Sequence, residues 1–173
     1  MKKKFILFAL ILSVLCIGGG KINSLNAQET ITIGSGDQNS MYLPIWGDRY
    51  KYSFSQQIYK ADELKHAAGV ISSIAFKSYH DNNSSLSRTL QVFLMNITDD
   101  VMPEQTYLMP DRALVYSGVV DFGAKDEWTT IEFQNNFSYE GENIVVCVND
   151  ITENTELGNY FFYTYNTRHR RPA

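Results

Sequence analysis

The stretch Arg88–Thr98, RTLQVFLMNIT, decides the fold class. Side chains alternate sides along an extended chain, so Leu90, Val92 and Leu94 share one face and Phe93, Met95 and Ile97 the other. Apolar character on both faces marks a central strand covered on both sides. The strand Asn143–Asn149 contains a second apolar run, Ile144–Val148. Between these two, Leu114–Val120 and Trp128–Phe137 read as further strands, set off by Asp121-Phe122-Gly123 and by Tyr139-Glu140-Gly141-Glu142. Turn signals at such short, regular intervals are the mark of an all-β domain.

The N-terminal half continues the pattern. Thr30–Ile33 is β-branched and closes at Gly34-Ser35-Gly36. Met41–Trp46 reads as a loop with an edge strand, because Pro44 has no amide to give a ladder. Tyr50–Tyr59 alternates aromatic and polar residues, which predicts a half-buried strand with Tyr50, Tyr52 and Phe54 packed into the core. Ala61–Ala68 has acids early and Lys65 and His66 late, a short helix that Gly69 stops. Val70–Tyr79 places Val70, Ile74 and Phe76 on one face, and Asn159–Tyr165 is a last aromatic strand. Asp99–Asp111, with Pro103 and Pro110, is a long loop. The expected architecture is all-β: an antiparallel β-sandwich, jelly-roll-like, with one short helix after the third strand. No Cys…Trp…Cys spacing supports an immunoglobulin domain.

Residues 1–27 read as something other than this domain. Lys2, Lys3 and Lys4 precede an apolar run from Phe5 to Ile17, then Gly18-Gly19-Gly20 and a polar stretch to Ala27. That is the layout of a secretory signal peptide. The apolar run is shorter than the roughly 20 residues that span a bilayer, so cleavage is expected, between Ala27 and Gln28. Cys16 reads as apolar filler, Leu15 before it being too bulky for lipid attachment. The domain is then 28–173. Of the 15 basic residues, Lys2, Lys3, Lys4 and Lys21 leave with the leader, so 11 bases face 19 acids. An acidic domain with no basic stripe argues against nucleic acid or an anionic membrane as partner. One cysteine remains, Cys147, and it reads as a buried thiol inside an apolar strand.

The stretch IGSGDQNSMYLPIWGDRYKYSFSQQIYKADEL, from Ile33, followed by Gly69-Val70-Ile71-Ser72-Ser73-Ile74-Ala75-Phe76, resembles the N-terminal β-sandwich module of secreted Bacteroidetes surface proteins. The similarity continues through Arg88–Leu94, Leu114–Gly118, Trp128–Ile131 and Asn143–Asp150, and covers nearly the whole chain after the leader. It implies a sandwich related to adhesin and lectin-like jelly rolls, usually attached to larger proteins exported by the type IX route, including adhesins and peptidases. It carries over no functional residues. The chain departs from that pattern by stopping at Thr167-Arg168-His169-Arg170-Arg171-Pro172-Ala173 with no sorting domain. It therefore reads as a stand-alone module or as a truncated frame.

Catalytic chemistry finds little to work with. No Gly-x-Ser-x-Gly elbow, His-Glu-x-x-His, Cys-x-x-Cys or phosphate-binding glycine loop is present, and His66, His80 and His169 are scattered in polar surroundings. No catalytic residue and no metal ligand set is assigned, and no cofactor is expected. Calcium is the one metal with any sequence support, through Asp99-Asp100 or Asp37 and nearby carbonyls. The best binding candidates are Tyr42, Trp46 and Tyr50, with Asp48 and Arg49 as polar handles. Flat aromatic faces with a polar tip grip sugars and peptides, and Trp46, beside Gly47-Asp48, is expected to be the most exposed. The expected function is a non-catalytic module, exported to the outer surface, that binds an extracellular glycan or protein. Two alternatives are an accessory domain separated from a larger secreted hydrolase and a structural subunit that assembles by strand addition.

Overall fold

A computed structural model of the chain describes residues 29–34, 36, 38–46, 51–65, 68–79, 86–102, 112–153 and 160–164. The expected leader, residues 1–27, lies outside them. The chain divides into two units, Met1–Thr30 and Ile31–Ala173, and all the regular structure described here belongs to the second. Eight strands and one short helix follow in the order β1 (Gln38–Ser40), β2 (Ser53–Tyr59), α1 (Ala61–Leu64), β3 (Gly69–Lys77), β4 (Leu86–Ile97), β5 (Ala113–Phe122), β6 (Trp128–Tyr139), β7 (Asn143–Asp150) and β8 (Phe162–Thr164). The fold is all-β, and every strand pairing is antiparallel.

Four strands form one sheet in the order β2-β7-β4-β5. β3 pairs with β6, and β1 with β8. The two small pairs touch through a bridge between Ser78 and Phe162 and a bond from the Tyr79 amide to the Phe161 carbonyl at 2.8 Å. The main core fills the space against the inner face of the large sheet: Leu90, Val92 and Leu94 of β4, Val146 and Val148 of β7, and Val115 and Phe122 of β5 meet Phe76, Ile131, Phe137 and Phe162. A smaller cluster of Met95, Val145 and Cys147, with Ile58, Phe93, Ile97 and Met102, covers part of the outer face. β4 is thus central and apolar on both sides, as its alternation predicts.

One charged pair lies within this apolar interior. Arg88 and Asp150 are 2% and 0% exposed. Arg88 donates from Nε and Nη2 to Asp150 Oδ2 at 2.8 and 2.6 Å, and Asp150 Oδ1 accepts from the Thr152 amide at 3.0 Å. A buried ion pair holds only when its remaining hydrogen-bonding capacity is also met. Here the Thr152 amide meets the second Asp150 oxygen, and two bonds fix the segment that carries it: Ile151 donates to the Thr89 carbonyl at 2.9 Å, and the Thr89 amide donates to Thr152 Oγ1 at 2.8 Å. At the opposite end of β7, Asn143 holds three segments together. Its Oδ1 accepts from the first helical amide, Ala61, at 2.9 Å, and its Nδ2 donates to the Asp99 carbonyl at 3.0 Å and to Asp100 Oδ1 at 3.2 Å.

Several sequence expectations need correction. The helix follows the second strand, not the third: Thr30–Ile33 forms no strand, Met41–Trp46 is a series of bends, and Gln38–Ser40 is a strand that polar residues conceal. The helix also ends a turn early, at Lys65 in the left-handed region (φ 52°), and Gly69 opens β3. Asp121 and Phe122 belong to β5, and the turn lies at Gly123–Glu127. A Cβ at Gly123 would lie 2.4 Å from Glu127 Oε2, so the carboxylate that accepts the Ala124 amide at 2.9 Å would have to shift. Val70 does not share a face with Phe76 and is 69% exposed. The β3–β6 ladder slips between Ile71 and Ser73, leaving residues 133–136 of β6 unpaired with β3, so the alternation reverses and Ile71 joins the core instead. From that irregular segment Gln134 reaches the free edge of β5. It donates to the Ser117 carbonyl at 3.0 Å and accepts the Ser117 amide at 3.1 Å, pairing an edge that would otherwise be open.

Candidate functional site

The aromatic loop before β2 is built from its backbone outward. Ile45 is fully buried and pins the segment to the core. Ser40 Oγ accepts the Tyr42 amide at 3.1 Å, Ser53 Oγ accepts the Trp46 amide at 3.1 Å, and the Ser55 hydroxyl donates to the Pro44 carbonyl, after a cis Leu43–Pro44 bond. With the backbone held by three serines, the Tyr42 ring stands outside. Tyr42 and Trp46 meet edge to face, centroids 5.0 Å apart at 83°. Trp46 is not the most exposed of the group: it is half-buried, whereas Tyr42 is 42% exposed and Tyr52 59%. The predicted packing of Tyr52 and Phe54 fails as well, since Phe54 is 40% exposed. In β2 it is Ser55, Gln57 and Tyr59 that alternate inward, so Phe54, Gln56 and Ile58 take the outer face. Asp48, Arg49 and Tyr50 lie outside the described residues.

Phe54 leads directly onto a surface that the sequence does not single out. Register pairs Phe54 with Asn149 and Asn149 with Gln91, one row across three neighbouring strands. Asn149 Nδ2 donates to Gln91 Oε1 at 3.0 Å. In the next row, Gln56, Cys147 and Phe93 are paired, and Gln56 Nε2 approaches Cys147 Sγ at 3.5 Å. Over both rows lies Arg112, its guanidinium carbon 4.6 Å from the centre of the Phe93 ring and 5.7 Å from that of Phe54. Only register and tertiary folding could show that Arg112, just before β5, meets β2 and β4.

Cys147 is buried, and burial pushes its thiol above the ordinary range, against smaller opposing effects from Gln56 and Arg112. Burial and a raised pKa both disfavour the thiolate that nucleophilic chemistry needs. All three histidines lie outside the described residues, as does Asp37. The calcium candidate Asp100 faces Lys60 Nζ at 3.7 Å as well as Asn143, so its carboxylate already has partners. Among the described residues, no three His, Cys, Asp or Glu side chains converge on a metal-sized site, and no helix is long and apolar enough to cross a membrane. A shallow depression of about 200 Å³ lies nearby, lined by Ala61, Ile97, Thr98, Glu142 and Asn143.

A second aromatic patch surrounds the end of β3. Tyr79 packs edge to face on Tyr163 at 5.0 Å, Lys77 lies 4.8 Å above the Tyr163 ring, and Lys125 lies 5.2 Å above Tyr79. The Tyr163 hydroxyl donates to Asp126 Oδ1 at 2.6 Å, a bond that raises its pKa. These partners satisfy one another, so the patch reads as a structural clasp on β8. No protein-family model, curated protein or solved structure matches the chain.

Proposed function

We propose that the chain is an exported, non-catalytic surface module that binds an extracellular glycan or protein through the aromatic side chains around the start of β2. One observation carries this reading: Tyr42, Tyr52 and Phe54 are all well exposed beside a loop whose backbone is anchored by Ile45 and three serine hydroxyls. Exposed aromatics held this way present contact area that costs little ordering on binding. The leader-like residues 1–27 and the resemblance to secreted Bacteroidetes modules support export. Strand order supports a jelly-roll assignment for the scaffold: β1-β8 joined to β3-β6 through Ser78 and Tyr79, opposite β2-β7-β4-β5, is the succession produced when a long hairpin folds over itself.

The test is a glycan and matrix-protein binding screen, followed by Tyr42→Ala with Tyr52→Ala, and by Trp46→Ala. The paired tyrosine change should weaken binding roughly tenfold or more while leaving the melting temperature within a few degrees. Unchanged affinity in the double variant would remove this surface as the site, and unchanged affinity in Trp46→Ala would remove that residue.

A further inference from the structure

We infer that the outer face of the four-stranded sheet, at Phe54, Asn149, Gln91 and Arg112, takes a saccharide that carries a carboxylate. This rests on the proposed binding role and names the ligand class for the surface adjoining the aromatic loop.

Arg112 supplies the first argument. It is half-buried and stacked over Phe93 and Phe54, and its Nη1 is buried with no hydrogen-bond partner. Among the described residues no carboxylate pairs with it. A cation drawn out of water is costly unless an anion or a set of acceptors replaces the lost hydration. Aromatic faces return part of that cost but provide no acceptor for the guanidinium N–H groups. A ligand carboxylate would provide one, and its planar fork is the geometry that guanidinium recognises best.

The row beneath supplies the rest. Neighbouring strands lie about 4.8 Å apart, so Phe54, Asn149 and Gln91 run across roughly 10 Å of sheet. The bond between the two amides leaves the Asn149 carbonyl oxygen as an acceptor and the Gln91 amino group as a donor. Sugar hydroxyls both donate and accept, and the exposed Phe54 ring offers a flat apolar face for a pyranose. An acidic peptide would also satisfy Arg112, but extended peptides bind sheets by adding to an edge. This row crosses β7 and β4, the two central strands, where backbone groups are already paired. A saccharide, which needs side-chain contacts only, fits better.

The experiment is calorimetric titration of the full chain with a hexuronate oligomer and with its carboxyl-reduced counterpart, which keeps every ring and loses only the acid. The unaltered protein should bind the acidic oligomer at least about tenfold more tightly. Arg112→Gln should abolish that preference, and Arg112→Lys should restore it in part by returning the charge without the fork. If Arg112→Gln does not fold, Gln91→Ala and Phe54→Ala, both outside the core, should each weaken the acidic oligomer severalfold. Equal binding of the two oligomers, or a preference that survives Arg112→Gln, overturns the inference and leaves glycan binding standing. Binding of an acidic peptide but neither oligomer overturns it in favour of a protein ligand. Failure to bind any glycan or protein would overturn the surface-binding reading as well.

Discussion

Arg88 and Arg112 lie on opposite faces of the same four-stranded sheet. Arg88, on the inner face, is almost wholly enclosed and gives two hydrogen bonds to one oxygen of Asp150. Arg112, over the outer face, meets two aromatic rings and, among the described residues, no carboxylate. The first has its counter-charge built into the fold, so neither buried charge is left uncompensated. The second lies against rings, with Nη1 buried and without a hydrogen-bond partner, and that is what the proposed carboxylate would meet. Burial alone does not distinguish the two arginines; among the described residues, what differs is the counter-charge.

The largest effect should come from breaking the inner pair. Arg88→Met leaves Asp150 as an uncompensated buried charge and should cost about 3–5 kcal/mol. Urea denaturation checks this as a lowered midpoint with an unchanged slope. Adding Asp150→Leu should recover most of that loss, because the cost lies in the stranded charge and not in the missing bond. If the double variant is as unstable as the single, the pair does more than neutralise itself.

A second contrast is between Tyr59, turned inward, and Tyr52, standing in solvent. Burial, with a smaller contribution from Glu63, pushes the Tyr59 hydroxyl from 10.0 up to about 12. The folded protein then holds this proton more tightly than the unfolded chain. The resulting stability is complete below pH 10 and is lost as pH rises from 10 toward 12, by roughly 2–3 kcal/mol. Alkaline urea titrations of the protein and of Tyr59→Phe should diverge in that window, with the variant less sensitive to pH. Parallel pH profiles would mean that Tyr59 ionises no later than an ordinary tyrosine.

The smallest change in stability should accompany Arg112→Gln. Losing the ring contacts costs about 1 kcal/mol or less at a half-exposed site, and removing the buried, unpartnered Nη1 offsets part of it. A midpoint within a few tenths of a molar of the parent in urea would support the division between the two arginines. A loss comparable to that of Arg88→Met would place Arg112 among the residues that hold the fold.

The sequence carries the all-β class and the central position of Arg88–Ile97 well, because a long run that is apolar on both alternating faces suits a covered strand and little else. It carries the edges and slips poorly. Nothing in Gln38-Asn39-Ser40 signals a strand, since its pairing with Thr164, Tyr163 and Phe162 is set by the far end of the chain. Val70 and Ile74 look alike in sequence, and only the slip opposite residues 133–136 turns one outward. For the site, Tyr42 and Trp46 are legible as an aromatic pair in a turn-rich segment. Phe54 reads as core in sequence because alternation identifies two faces without saying which is buried.

From the sequence by itself come an acidic all-β chain, a buried thiol at Cys147 and a short helix near Ala61. These follow from local physics: hydropathy, charge, period-two alternation and the backbone preferences of glycine and proline. Tertiary structure alone decides that Arg88 closes on Asp150, 62 residues away, and that Arg112 lies over Phe54 and Phe93. Such partners are chosen by register and by which face of each sheet the core claims. Both depend on strands far apart in the chain reaching one another, so no window of sequence contains the answer.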